Sequence, residues 1–308
     1  GRLPFKESDF CMGEDEVDVE ALLDRAYESE DAEEVEALVA RALEIEPDNP
    51  EALLLRADLT EDDEERLSIL QGALEAVETV LKEEGVGEEA YEDNPLGTVS
   101  LALMQRMAFT LYGVGDDERA MELIERLLRH DLDDNGAVKS LYYRILIEQN
   151  AWQLILSKTM QDEEHQLGWA YSRLCAAFML GPKGAERGTA ARMFWEALTM
   201  SPNVPFYMLG YFAEPVDDSE AEEEDFNFAS LYADVWSTSR DLLNWFSRGV
   251  ILFGLLSGRF GEESGDMLEI LTSLGGRQEY EAMCKLPMEG DDVAVIEALA
   301  AHHCLAGQ

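Results

Sequence analysis

An all-α chain of stacked antiparallel helix pairs is the fold this sequence predicts, and three observations predict it. Apolar residues recur three and four apart through almost every segment, as in VEALLDRAY (Val19–Tyr27) and VEALVARALEI (Val35–Ile45). The strict alternation of a half-buried β-strand is absent throughout. Short breaks rich in Asp, Asn, Gly and Pro, such as EPDNP, GVGDDE and GPKGAE, divide the helices into pairs.

The pairs share a grammar. ALEIEPDNPEALLL (Ala42–Leu55) ends a second helix and starts the next. In AARMFWEALTMSPN (Ala190–Asn203), Ala190, Phe194, Ala197 and Pro202 follow the spacing A-x3-F-x2-A-x4-P. Ala120, Ile124 and Leu127 repeat it in between, with Leu132 in place of the proline. Each part has a mechanical reason. A small Ala lets two helices approach closely, the large residue one turn later fills the gap between pairs, and Pro stops the helix. The pattern resembles the tetratricopeptide repeat, a helix–turn–helix unit of about 34 residues. Pro47 and Pro202 are 155 residues apart, room for four or five such units. A long helix, Asp62 to Glu84, and the loop GVGEEAYEDNPLG stretch the register after the second unit.

SPNVPFYMLG (Ser201–Gly210) then makes a stiff corner, and FASLYADVWSTSRDLLNWF (Phe228–Phe246) follows an acidic loop. In order and spacing this stretch resembles the suppressor-of-tumorigenicity-type tetratricopeptide family and its bacterial and algal relatives. There an N-P-H-V-P-x-Y-L-L-G corner precedes a segment ending W…G-A-L-x-W-L. Asn203, Val204, Pro205, Tyr207, Leu209 and Gly210 stand in the corner, and Trp236, Leu242 and Trp245 in the later segment. Ser201 replaces the usual Asn, no His precedes Val204, and SRDLLNW stands where Gly-Ala is expected. The resemblance covers roughly residues 95–250 and implies protein–protein contact. The corner is expected to start a short helix that lays Phe206, Leu209 and Phe212 over the end of the last repeat, because a solenoid's terminal unit needs a cap.

The expected organisation is therefore an acidic, poorly ordered segment at 1–15 and repeat helices over 16–202. Capping helices follow over 203–260, with an exposed acidic loop at 214–225, and a helical tail over 261–308. Hydrophobic residues make up 46% of the chain, enough for a real core. The net charge of −43, from 66 acidic against 23 Lys and Arg residues, repels phosphate, so nucleic acid and anionic membrane are excluded as partners. It favours a basic protein or peptide; solubility alone is the other reading of the same charge. The four cysteines, Cys11, Cys175, Cys284 and Cys304, are scattered, with no CxxC pair. The longest apolar run, Gly249 to Leu256, is too short to cross a membrane. No signal-peptide pattern is visible, although the chain begins with Gly1, and the expected location is cytoplasmic.

Nothing in the sequence assembles a nucleophile, a base and an oxyanion donor. The four histidines, His130, His165, His302 and His303, lie in no HExxH motif or Cys/His ligand set. The adjacent residues of HHC (His302–Cys304) point in different directions on a helix, so neither metal nor cofactor is expected. The candidate site is the groove lined by the first helix of each pair. That assigns Glu20, Asp24 and Tyr27 from the first unit, Gln105, Phe109 and Tyr112 from the third, and Lys139 and Tyr143 from the fourth. Aromatics flanked by polar groups suit a peptide groove, while packing between repeats is the alternative for Phe109 and Tyr143. Glu20 and Asp24 have the wrong sign for an anionic peptide tail. The expected function is a non-enzymatic scaffold. The alternatives are an enzyme or regulatory subunit with a site formed by the C-terminal helices, and an acidic mimic of nucleic acid.

Overall fold

The computed structural model describes residues 18–132, 135–181, 186, 188–288 and 290–307. The expected N-terminal segment 1–15, with Cys11, lies outside them. Among the described residues there is no strand. The chain divides into two units, Gly1–Asp133 and Asp134–Gln308, a boundary inside the stretch read above as one array.

Unit one holds α1 (Val19–Glu28), α2 (Ala32–Ile45), α3 (Pro50–Leu59), α4 (Asp63–Glu83), α5 (Pro95–Gly113) and α6 (Asp117–Leu128), with a 3-10 turn at Glu88–Asp93. Each helix starts where the sequence supplies an acceptor. Asp18, Asp31, Asn49, Asp62, Asn94 and Asp116 cap the six helices, their side chains accepting from free N–H groups of the first turn. Part of the acidity is therefore structural, since first-turn carboxylates also complement the helix dipole. Successive helices pack on one another, and α3 also touches α5. Leu22, Leu23, Val39, Ala42 and Ala52 form the first core cluster. Ala120, Ile124 and Leu127 are fully buried, as the repeat grammar requires.

Unit two holds α7 (Asn135–Glu148), α8 (Trp152–Gln161), α9 (Leu167–Leu180), α10 (Thr189–Met200), the short α11 (Val204–Met208) and α12 (Glu220–Tyr232). A 3-10 turn (Ala233–Thr238), α13 (Arg240–Leu256), α14 (Ser264–Ser273), α15 (Arg277–Cys284) and α16 (Asp292–Ala301) complete it. α9 packs on α7, α8 and α10. At its start Gly168 lies so close to Ser140 that an added Cβ would sit 2.9 Å from the Ser140 Cα.

The corner at Ser201–Gly210 does start a short helix, but that helix is not a terminal cap. Phe206 is fully buried among Phe212, Phe253 and Phe260, with ring centroids 5.1, 6.1 and 5.7 Å away, while Leu209 and Phe212 stay half-buried. The helices after the corner fold over it and make it core. Arg259 ties this arrangement together, donating to Asn203 Oδ1 (2.9 Å) and bidentately to Asp292 (2.8 Å each). The expected acidic loop is also shorter than 214–225. Ser219 caps α12, so Glu220–Asp225 are helical, and Glu222 accepts from the Tyr207 hydroxyl (2.7 Å) and Asn203 (3.2 Å). Acidic side chains in a first turn favour helix instead of opposing it. The chain end is docked: the indoles of Trp195 and Trp245 donate to the carbonyls of Cys304 and Leu305, both at 3.3 Å.

Candidate partner-binding face

In unit one, α1, α3 and α5 present neighbouring faces. Glu20 and Asp24 are exposed on α1, and Tyr27, one turn on, is 56% exposed. Tyr27 has its phenol raised above the usual tyrosine range, first by partial burial, then by Glu51 and Asp58 of α3, against a lowering by Arg106 of α5. Charges from two neighbouring helices, α3 and α5, therefore act on this one tyrosine. Arg106 Nε lies 3.4 Å from Asp58 Oδ1. Gln105, Phe109 and Tyr112 are half-buried on the same helix as Arg106. The structure thus pairs Arg106 with Asp58 and brings the charges of both, and of Glu51, to bear on Tyr27; of these residues the sequence reading had named Tyr27. Glu51 and Asp58, seven residues apart on α3, share one helix face; that spacing was the available signal.

Unit two treats the corresponding helices differently. Lys139 and Tyr143 are not free to meet a partner there. Tyr143 is buried and its hydroxyl donates to Asp162 Oδ2 (2.9 Å), while Lys139 Nζ donates to Asp162 Oδ1 (2.9 Å). Burial pulls Lys139 down and Asp162 up, but their mutual hydrogen bond and charge outweigh it, leaving the lysine raised and the aspartate lowered. Burial, and then Asp162, push the Tyr143 phenol far up.

The face of α7 and α9 is filled by the chain itself. Tyr232, fully buried, places its hydroxyl 2.8 Å from Ser172 Oγ on α9 and donates to the Ser140 carbonyl on α7 (3.0 Å). Arg144 Nε donates to the Leu231 carbonyl (3.0 Å). The Tyr171 ring meets Phe228 and Trp236, each at 6.0 Å, and Trp236 stacks on Phe246 at 3.6 Å. Sequence reasoning missed this occupant, although Phe228, Tyr232 and Trp236 stand at i, i+4 and i+8.

Cys175, Cys304 and His130 are committed to structure, whereas Cys284 is an exposed thiol. Burial pushes the thiols of Cys175 and Cys304 up to about 12, which keeps them protonated and weakly nucleophilic. His130 lies between Glu92 (3.0 Å) and Glu88 (3.3 Å), and Arg126 pairs with Glu78 and Glu88. This cluster fastens the 3-10 turn of unit one to α6. Among the described residues no group of three His, Cys, Asp or Glu is placed to hold a metal ion, and no helix is long and apolar enough to cross a membrane. Compared with family models, curated proteins and solved structures, the chain matches none of them.

Proposed function

We propose that this chain is a non-enzymatic interaction scaffold, a tetratricopeptide-like α-solenoid that receives a basic protein or peptide on the α1–α3–α5 face of unit one. The observation that carries the reading is the exposed Tyr27 ring, on which the charges of Glu51 and of the Asp58–Arg106 pair act. Several features support the solenoid arrangement: sequential packing of helix pairs, the α3–α5 and α7–α9 contacts between first helices, and the burial of Ala120, Ile124, Leu127, Phe194 and Ala197, with Ala190 half-buried. The resemblance of residues 95–250 to the suppressor-of-tumorigenicity-type family points the same way. Acidic side chains around a partly desolvated aromatic surface accelerate encounter with a cation, and the aromatic area holds it. The cytoplasm, where scattered thiols stay reduced, is the proposed location.

The test is association of a fluorescent Lys/Arg-rich peptide with the full chain. Glu20→Lys with Asp24→Lys should slow association at least several-fold, and the effect should shrink with salt as the Debye length falls below about 8 Å. Glu33→Lys with Glu36→Lys on α2 controls for overall charge. Equal losses in the two double variants would mean diffuse attraction and would remove the face from the proposal.

A further inference from the structure

We infer that the occupant of the unit-one face is an amphipathic basic helix of the partner, with aromatic or aliphatic anchors at i, i+4 and i+8; this rests on the reading of that face as a partner site. The molecule carries its own precedent. In unit two, α12 and the 3-10 turn after it lie across two first helices and anchor there through Phe228, Tyr232 and Trp236, with Tyr232 bridging α7 and α9. The repeat register carries the α9 side of that geometry to α5 of unit one. The triplets Ala120–Ile124–Leu127 and Ala190–Phe194–Ala197 are 70 residues apart, and the same offset sets Ser172 and Cys175 of α9 over Ala102 and Gln105 of α5. Ser172 and Cys175 are fully buried beneath the fold, whereas Ala102 and Gln105 are half-buried. Ala102 is small, as Ser172 is.

Backbone chemistry selects a helix over an extended strand. The face is built from helices whose main-chain groups are satisfied internally, so it offers an extended peptide no ladder to join. A helix arrives with its own N–H and C=O groups paired and needs side-chain contact alone. Charge selects the sign. Glu51 and Asp58 of α3 act on Tyr27, Glu20 and Asp24 are exposed on its own helix, and Arg106, the cation that acts on the same ring, is paired with Asp58. An acidic helix such as α12 would be repelled there, and a Lys/Arg-flanked one attracted.

The probe is a labelled peptide of residues 224–240 with Lys in place of Glu224, Asp225 and Asp234, read by fluorescence anisotropy on the full chain. A second peptide carries Pro in place of Ser230, which breaks the helix without changing charge. The helical peptide should bind on the order of 100-fold more tightly than the Pro peptide. Ala102→Trp, which fills the face of α5, should weaken it at least tenfold, with far-UV circular dichroism confirming an unchanged fold. Equal affinity of the two peptides would overturn the helical occupant and leave the scaffold reading standing. Tight helical binding that ignores Ala102→Trp would place the peptide elsewhere, including on the α7–α9 face by displacement of α12, and would overturn the inference. Failure of every basic peptide to respond to Glu20→Lys with Asp24→Lys would instead overturn the underlying proposal.

Discussion

Phe194→Ala should lower the melting temperature of unit two by about 8–16 °C. Phe194 is fully buried, edge-on to Phe246 (5.4 Å) and Trp245 (5.8 Å), with its ring against Gly249. Truncating such a ring costs about 3–5 kcal/mol, and the sum depends on how far the site can collapse. Here collapse is resisted. Trp245 is held by its bond to the Leu305 carbonyl and Trp195 by its bond to the Cys304 carbonyl, while Phe246 is stacked on Trp236. None of them can swing into the void without losing a hydrogen bond or a stack. A loss of about 4 kcal/mol is therefore reasonable, and at about 2–4 °C per kcal/mol for a unit of this size it gives the stated range. All five tryptophans, Trp152, Trp169, Trp195, Trp236 and Trp245, belong to unit two, so tryptophan fluorescence follows its unfolding. Phe194→Leu should recover roughly half of the loss, since it restores part of the volume. A Phe194→Ala chain melting within about 2 °C of wild type would refute the assignment of this residue as the keystone between α10 and α13.

Gly168→Ala should destabilise unit two by about 1–3 kcal/mol, because the new methyl meets Ser140 at the α7–α9 contact and the two helices must part; a denaturant titration with unchanged midpoint would contradict that close approach. Arg259→Met should cost about 2–3 kcal/mol, since it leaves Asp292 and Asn203 without their charged donor and removes the guanidinium that lies 4.9 Å over the Phe253 ring; chemical denaturation followed by tryptophan fluorescence measures it.

What the sequence made legible was local. Helical period, breaks and caps are written in neighbouring residues, so Asp62 with the 21 residues after it reads as a capped long helix and is one. Burial of Ala120, Ile124, Leu127, Phe194 and Ala197 follows from a spacing that is likewise short-range. What was not legible depends on long-range closure. Lys139 and Tyr143 carry the pattern of exposed groove residues, but Asp162, about 20 positions on, turns back to take both. The 214–225 stretch reads as like charges that repel. Ser219 and the helix dipole absorb those charges into a first turn, and Tyr207 and Asn203 supply the partners for Glu222. The corner reads as an end because Pro stops a helix. Phe253 and Phe260, some fifty residues downstream, make it a centre.

Acid titration separates the two roles of the carboxylates. Asp292 has its carboxyl lowered below the usual range, first by its hydrogen bond to Arg259 and against a smaller push from burial. A lowered folded value contributes stability that is present above the ordinary aspartate pKa of about 4 and is lost as pH falls through the folded value. Glu88 and Asp162 act with the same sign, since Arg126 with His130, and Lys139, outweigh the upward push of burial on each. Opposed to these is the self-repulsion behind the net charge of −43, which acid relieves. Asp225, raised by burial, is also relieved on protonation. Salt distinguishes the two sets. At 1 M the Debye length falls to about 3 Å, which removes the long-range repulsion but leaves the bidentate Arg259–Asp292 contact at 2.8 Å. In 1 M salt the wild-type chain should therefore lose stability steadily below about pH 4. Asp292→Asn should start lower and fall less steeply, because one of the protons taken up on unfolding is gone. If both chains lose stability in parallel through that window, the Arg259–Asp292 pair is no more than a surface contact, and the acid limb belongs to the remaining carboxylates.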